Sequence, residues 1–169
     1  VNIRATVATS EIQFGHLQRP THRNTSWDVA RFETCAHRFV DLSEHGYGVS
    51  LLNDCKYGHD IFEGVIRLTC LKGAQAPSAI ADQGEHHFTY ALLPHEGTFQ
   101  DAGVIRAAAE LNVPVRALAV SPAKPTGTTT LAAKHAPATC DQPAIIIDTL
   151  KPAQDGDGMI LRLYESRSE

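Results

Sequence analysis

Short segments in which apolar and polar residues alternate recur along this chain, and they restrict its fold more than any other feature of the sequence. Alternation with a period of two is typical of β-strands, because successive side chains of a strand point to opposite faces. The segments that show it are residues 1–9, 11–18, 29–42, 47–53, 64–72, 86–93 and 113–120. Two further apolar runs, 143–150 and 159–165, flank the turn sequence 155–158 and predict a hairpin. The pattern therefore predicts about eight strands.

Residues 101–111 are the one segment whose sequence favours a helix. Asp101 can cap its start, alanine is a strong helix former, and Val104 and Ala108 share one side. The sequence thus predicts an all-β chain, an antiparallel β-sandwich with one short helix. Residues 121–143 are rich in Pro, Thr, Ala and Lys, and we expect a long loop excursion there.

The composition excludes several classes of protein. Lys+Arg 15 against Asp+Glu 19 gives a formal net charge of −4, which rules out a strongly basic nucleic-acid binder. No apolar run approaches the ~18 residues of a membrane span. A length of 169 residues predicts one domain or a piece of a larger protein. The start, residues 1–4, has neither a methionine nor the shape of a signal peptide, so we expect a piece.

The spacing of cysteines and histidines predicts neither a redox motif nor a metal site. The four cysteines contain no Cys-x-x-Cys pair, which favours free thiols, mostly buried, over two disulfides. Among nine histidines, the nearest ligand candidates are Cys35 with His37 and the pair His86 and His87. On a strand Cys35 and His37 would share a face, whereas His86 and His87 would point apart. We therefore expect no metal ion held wholly within this chain.

Three polar loops between the apolar segments are candidate binding sites: residues 19–27, 53–59 and 81–86. The second loop offers acceptors, donors, a cation and an aromatic face within five residues, and this mixture suits hydroxyl-rich ligands such as sugars. Ordinary turns whose Asp, Asn and Gly satisfy the backbone use the same residue types. No nucleophile elbow or phosphate loop is present, and scattered carboxylates do not define a glycosidase pair. The residues alone therefore name no catalytic machinery.

Several long runs of the sequence resemble α-mannosidases of glycoside hydrolase family 38. They are FGHLQRPTHRNTSWD (14–28), RFETCAHR (31–38), DLSE (41–44), GYGV (46–49), LNDCKYG (52–58), ADQGEHHFTYAL (81–92), Pro94-His95 and, more thinly, LRLYE (161–165). The resemblance is dense from about residue 11 to 118. Within the family, the sequence most resembles the cytosolic or vacuolar class of these enzymes.

The resemblance implies a place for this chain within a larger enzyme. Residues 1–169 are expected to form a single C-terminal β-sandwich module, part of a galactose-mutarotase-like supersandwich, of an α-mannosidase that hydrolyses terminal α-mannosyl residues. The zinc ligands and the catalytic Asp pair of the family belong to motifs that have no match here. The resemblance thus implies a zinc-dependent retaining parent enzyme, no catalytic or metal-binding residue in this chain, and no activity of the chain alone.

In the family, loops of this sandwich approach the bound sugar. The resemblance therefore implies substrate-binding roles at a site rim for Asp54, Lys56, Tyr57, Asp82 and Gln83. The expected partners are a mannose-containing oligosaccharide, the N-terminal catalytic domain of the same enzyme and further copies of it, with no nucleic acid and no membrane. The implied location is cytoplasmic.

Two other functions are compatible with the residues. One is an autonomous carbohydrate-binding β-sandwich module. The other is an enzyme of the aldose-epimerase type, which needs a His acid and a Glu base. His86 and Glu85 are adjacent in sequence and would face apart on a strand, which disfavours the second alternative.

Overall fold

The computed structural model describes residues 1–119 and 135–167, and the chain forms two compact units, Val1–Pro114 and Val115–Glu169. In chain order the elements are β1 (Val7–Ile12), β2 (Gly15–Pro20), α1 (Ser26–Ala30), β3 (Thr34–Cys35), β4 (Phe39–Glu44), β5 (Tyr47–Asn53), β6 (Gly58–Phe62), β7 (Val65–Leu68), β8 (Tyr90–Glu96), α2 (Val104–Asn112), β9 (Ile145–Pro152) and β10 (Met159–Glu165). All strand pairs are antiparallel, which confirms the predicted all-β class. None of the described helices has the length and apolar character to cross a membrane.

The first unit contains two sheets, one of five strands in the order β2-β1-β4-β5-β8 and one of three in the order β3-β6-β7. Tight turns connect neighbouring strands. In the β6–β7 turn, Glu63 and Gly64 have φ values of 50° and 74°, the left-handed geometry that a two-residue hairpin turn requires. Gly46 has a φ of 81° in the β4–β5 turn for the same reason. Hydrogen-bonded hairpins therefore build most of both sheets.

The two sheets of the first unit pack face to face as a β-sandwich. Ile61 of β6 and Ile66 of β7 lie between two clusters of buried residues on the five-stranded sheet. These clusters consist of Ile3, Ala8, Leu42 and Val49, and of Ala36, Val40 and Leu51. Alternate residues of β4 and β5 supply this interior, as the period of two in the sequence predicts.

Helix α2 contacts the five-stranded sheet at β4 and β5. Its apolar side is buried through Val104, Ile105 and Ala108. Phe39 of β4 projects to the same side of the sheet as Asp41, and its ring lies 5.7 Å from that of Phe99, centroid to centroid. The five-stranded sheet is thus covered on both faces, which explains why β4 and β5 are buried along most of their length.

The second unit consists, among its described residues, of the hairpin of β9 and β10. The strands pair from Ile145 and Glu165 to Pro152 and Met159, with an irregularity between Arg162 and Leu163. The connecting turn covers the predicted Asp-Gly-Asp-Gly sequence, with positive φ at Gly156 and Gly158. The hairpin prediction for this segment is confirmed.

Several sequence expectations about individual elements are wrong. Residues 29–42 are not one strand: α1 ends at Ala30, and β3 and β4 are separate. Residues 11–18 span the β1–β2 turn, where Phe14 has a φ of 55°. Residues 113–119 form no strand, and Val115 is 98% exposed. The structure also contains a helix that was not predicted, α1.

Two further corrections concern Pro94 and the thiols. Pro94 lacks a backbone N–H and predicts the end of a strand, but it lies inside β8 opposite Val49. A proline is tolerated there because β8 is the last strand of its sheet. The cysteines are free, as expected, but all four are exposed rather than buried. The expected excursion at 121–143 falls largely on residues 120–134, which lie outside the described residues, and the single module over 1–169 stays a prediction.

Candidate functional site

The loop between β5 and β6 is held by the buried side chain of Asn53. Asn53 Nδ2 donates to the carbonyl oxygen of His37 at 2.9 Å, and its Oδ1 accepts from the backbone N–H of Lys56 at 2.6 Å. Asn112 of α2 donates to the Asn53 carbonyl at 3.0 Å. These bonds close a turn of the Asx kind, which fixes the direction in which Lys56 and Tyr57 leave the sheet.

Aromatic side chains surround this loop. The Tyr57 ring packs edge-on against His37 with centroids 5.6 Å apart. Lys56 Nζ lies 4.8 Å from the centroid of the Phe88 ring, and Phe88 stacks on Tyr90 at 6.5 Å. We call His37, Lys56, Tyr57, Phe88 and Tyr90 the aromatic rim. Tyr57 and Tyr90 are 57% and 60% exposed, so the rim offers two aromatic side chains to a ligand.

Asp54 is the first residue of the same loop, and its carboxylate supplies the negative charge of that loop. Its backbone N–H donates to the Thr89 carbonyl at 3.2 Å, which ties the loop to the segment before β8. The backbone N–H of Thr89, followed by the Cys55 thiol, holds the pKa of the Asp54 carboxyl below its usual value. Its Oδ1 atom is buried and has no hydrogen-bond partner among the described residues. Because this oxygen has almost no exposed area, the carboxylate contributes negative charge to the loop rather than an open acceptor for a ligand.

Asp82 and Gln83 lie in a separate turn of the long segment before β8. Asp82 Oδ2 accepts from the backbone N–H of Gly73 at 3.0 Å, and Gln83 Nε2 donates to the Ala79 carbonyl at 3.2 Å. Asp82 also has a φ of 60°, which Asp tolerates better than most residues. No hydrogen bond or ion pair between described residues joins this turn to Asp54, Lys56 or Tyr57. The structure thus brings three of the five predicted site residues together on one loop.

Sequence reasoning overlooked His37, Phe88 and Tyr90 as site residues. Phe88 and Tyr90 share a face in the alternation of residues 86–93, but this alternation predicts only a β-strand and no contact with a ligand. The sequence thus shows that the two rings lie on one face of a strand, but it does not show whether other parts of the protein cover that face. His37 becomes part of the rim only because Asn53 holds its carbonyl.

The described residues form no cluster for a metal ion, and Glu85 and His86 do not pair with each other. Within 1–119 and 135–167, no group of three His, Cys, Asp or Glu side chains is placed to hold a metal ion. Glu85 pairs with His87 at 3.0 Å, whereas His86 contacts the Asp82 carbonyl oxygen at 2.9 Å. The Glu85 and His86 arrangement needed for an epimerase is therefore not formed.

Comparison with known protein families identifies the family to which this chain is related. The pattern of the glycosyl hydrolases family 38 C-terminal domain matches residues 1–79, and that of the family 38 C-terminal beta sandwich domain matches residues 144–169. This chain belongs to the C-terminal region of glycoside hydrolase family 38. The resemblance found in the sequence is thereby confirmed, and it extends to both units.

Three relatives of this family 38 chain are named as alpha-mannosidases. It is 52% identical to Alpha-mannosidase 2C1 of Homo sapiens over 168 residues and 45% identical to Alpha-mannosidase G of Dictyostelium discoideum over 164. It is also 50% identical to Alpha-mannosidase of Saccharomyces cerevisiae over 112 residues. These alignments cover 97%, 97% and 66% of this chain but 16%, 15% and 10% of the relatives. The chain therefore spans about a sixth of the length of the first two relatives.

Solved structures agree with the fold. An alpha-mannosidase from Enterococcus faecalis V583 aligns with a TM-score of 0.80 over 100% of this chain and 20% of its own, at 16% identity. A second family 38 protein from Enterococcus faecalis gives 0.77 over 98% of this chain and 20% of its own, also at 16% identity. At such identities the match establishes the β-sandwich architecture alone.

Proposed function

We propose that this chain is the C-terminal β-sandwich part of an α-mannosidase that hydrolyses terminal α-mannosyl residues. The single observation that carries the proposal is 52% identity to Alpha-mannosidase 2C1 along 97% of the chain. The parent enzyme would act by the retaining mechanism, with a carboxylate pair and a zinc ion supplied by its N-terminal part. The described residues of this chain do not fit a zinc site, and we assign no catalytic step to them.

The role we assign to this chain is to hold the mannoside at the edge of the active site. A sugar ring presents an apolar face that packs on an aromatic ring, and Tyr57 and Tyr90 are exposed for such a contact. Lys56 Nζ, over the Phe88 ring, supplies a hydrogen-bond donor for a sugar hydroxyl, and the ionised carboxylate of Asp54 lies in the same loop. We place Asp82 and Gln83 at the same edge, as the resemblance implies.

The remaining parts of the proposal concern the parent enzyme. Its partners would be a mannose-containing oligosaccharide, the N-terminal catalytic domain, against which this chain packs, and further copies in a homo-oligomer. Its location would be the cytoplasm. The 169-residue chain alone would be inactive, because the catalytic groups lie elsewhere.

The role of the rim is tested in the complete enzyme that carries this chain. Tyr57→Ala is expected to raise KM about fivefold with kcat little changed, because a stacking contact made equally in the ground and transition states affects binding only. Tyr47→Ala is the matched control, since Tyr47 is 41% exposed and lies at the opposite end of β5. Equal effects of the two substitutions, or none from Tyr57→Ala, would contradict the assigned role.

The assigned inactivity of the chain alone is tested with an aryl α-mannoside and added zinc. No turnover above the buffer rate is expected. Clear zinc-dependent turnover by the 169-residue chain would show that the catalytic groups are present in it.

A second candidate function is autonomous carbohydrate binding. It is favoured by one observation, that the Tyr57 and Tyr90 rings of the aromatic rim are 57% and 60% exposed in this chain. Titration of the isolated chain with mannobiose, followed by NMR, distinguishes the two functions. Saturable shifts at micromolar ligand would support autonomous binding, and their absence would support a role that needs the catalytic domain.

A further inference from the structure

A cavity in the first unit shares no lining residue with the aromatic rim. It has a volume of about 230 Å³ and is bordered by the end of β2, the loop after it and helix α1. Its wall includes Arg19, His22, Arg23, Asp28, Arg31 and Phe32. The cavity thus opens within the polar loop of residues 19–27, the one candidate loop that the proposed function leaves unused.

Arg19 brings a cation to this wall, and no carboxylate of the described residues forms an ion pair with it. Its Nη1 donates to the carbonyl oxygen of Cys35 at 2.6 Å, which is the one hydrogen bond that its side chain makes with described residues. A guanidinium has five N–H donors, so most of those on Arg19 are available. The side chain is half-buried, which limits the water that can solvate them.

Arg23 shares its carboxylate with another arginine. Its Nη2 donates to Asp60 Oδ1 at 2.5 Å, while Arg67 Nη1 donates to Asp60 Oδ2 at 2.7 Å. The Arg23 guanidinium also lies 4.4 Å from the centroid of the Phe62 ring, which fixes its position. One negative charge therefore faces two guanidinium groups at this side of the cavity.

Asp28 is the one carboxylate on the wall, and helix capping already uses it. Its Oδ2 accepts from the backbone N–H groups of Asn24 and Thr25 at 3.2 and 3.0 Å and from Thr25 Oγ1 at 2.9 Å. The hydrogen bond from the Thr25 side chain, above all, lowers the pKa of this carboxyl. Arg31 Nη2 reaches its other oxygen at 3.3 Å. The wall therefore carries three guanidinium groups and one carboxylate, and the neighbouring Arg67 and Asp60 add one charge of each sign, so the excess is two positive charges.

We propose that this cavity binds a small tetrahedral oxyanion, a phosphate or the phosphate group of a monoester. Arginine guanidinium groups match phosphate geometry and make charge-assisted hydrogen bonds to it. The volume is below the about 300–1,000 Å³ of pockets for drug-sized ligands, which suits one such group and not an oligosaccharide. His22, 3.9 Å from Asp28 Oδ2, adds a further positive charge when protonated.

The single tryptophan of the chain is the reporter for a test. Trp27 belongs to α1, is 77% exposed, and its carbonyl oxygen accepts from Arg31 Nε at 3.4 Å. Trp27 fluorescence of the 169-residue chain is followed during titration with inorganic phosphate, mannose 6-phosphate, acetate and chloride at matched ionic strength. A saturable change is expected with inorganic phosphate, and a tighter response to mannose 6-phosphate would identify a monoester as the preferred source. A response to acetate or chloride as large as that to phosphate would overturn the proposal.

Variants that remove one positive charge show whether the fluorescence change comes from phosphate bound in this cavity. Arg31→Gln is expected to weaken phosphate binding about tenfold, because a charge-assisted hydrogen bond is lost. Arg31 is exposed, so the fold is kept, which circular dichroism checks. Arg106→Gln is the matched control, since Arg106 pairs with Glu110 at 2.7 Å on the exposed side of α2. Unchanged binding by Arg31→Gln and Arg19→Gln, or an equal loss in Arg106→Gln, would show that phosphate does not bind in this cavity.

Discussion

At the scale of single residues, a buried polar cluster beside Gly48 shows how closely the sequence and the packing are matched. Asp41 Oδ1 accepts from Ser50 Oγ at 2.6 Å and contacts His95 Nε2 at 2.8 Å, while Ser43 Oγ donates to Asp41 Oδ2 at 2.5 Å. Both carboxyl oxygens of Asp41 thus have hydrogen-bond partners, as the burial of polar atoms requires. Gly48 lies against this cluster and leaves the space that His95 and Ser43 fill.

Gly48→Ala is expected to destabilise the fold by about 1–3 kcal/mol, because overpacking forces neighbours out of place. The added Cβ would overlap Ser43 Oγ and would lie 2.6 Å from His95 Nε2. Urea denaturation measures the change. Gly15→Ala is the control, since a Cβ there has nothing within 4 Å, and equal losses from the two variants would contradict the packing explanation.

His59 is a second buried polar residue, and it makes stability depend on pH. It is 0% exposed, and its Nε2 has no hydrogen-bond partner among the described residues. Burial lowers the pKa of His59 below its value in the unfolded chain. The unfolded chain therefore binds the proton more readily, and the contribution of this residue to stability is lost as the pH falls below about 6.5.

His59→Gln is expected to reduce the difference in unfolding free energy between about pH 8 and about pH 5, because the group that must remain neutral is gone. Denaturation curves at the two pH values give this difference for each variant. His45→Gln, at an exposed turn position, should leave it unchanged. A wild-type-like pH dependence in His59→Gln would rule out this histidine as its cause.

At the scale of elements, the β9–β10 hairpin and α2 were predictable, whereas the β1–β2 turn and the irregular connections were not. The β9–β10 hairpin and α2 follow from local patterns, an Asp-Gly turn and an amphipathic alanine-rich run. The prediction of one strand over 29–42 failed because the alternation begins in the last two residues of α1, whose capping box of Thr25 and Asp28 precedes the run. Pro94 wrongly predicted the end of a strand, because its position in an edge strand depends on pairing with β5, which is distant in sequence. For the same reason Phe88 could not be assigned to the aromatic rim from the sequence.

Thr25→Ala is expected to fray α1 while changing the global unfolding free energy by about 1 kcal/mol or less, because the helix has no buried residue and the cap acts locally. Amide hydrogen exchange at Asp28 and Val29 should become faster. Thr98→Ala, which removes the Thr98–Asp101 hydrogen bonds, is the control and should leave exchange in α1 unchanged. Unaltered exchange at Asp28 in Thr25→Ala would show that the capping box does not hold the helix.

At the scale of the whole molecule, the sequence was more informative about family than about organisation. Long matched runs predicted family 38, and the family patterns confirm it on residues 1–79 and 144–169. The division after Pro114 was not predicted, because apolar alternation continues through 113–120. Both hydrophobic clusters of the sandwich lie within the first unit.

Residues 1–114, expressed alone, are therefore expected to fold cooperatively, because this segment holds the eight strands of both sheets and helix α2. Near-ultraviolet circular dichroism and a single sigmoidal urea transition provide the check. Residues 1–80, which end before β8 and α2, are the matched control and should not give that transition. A non-cooperative transition of residues 1–114 would indicate that the second unit is needed for folding.

The prolines of the two outer strands affect how copies of this chain can associate. Pro20 lies in β2 and Pro94 in β8, so each outer strand of the five-stranded sheet contains a residue without a backbone N–H. An added strand from a neighbouring copy would lack a donor along each border, which makes runaway sheet growth unfavourable. The outer strands of the five-stranded sheet are therefore poor templates for strand pairing with another copy of this chain, which lowers the risk of aggregation through these borders.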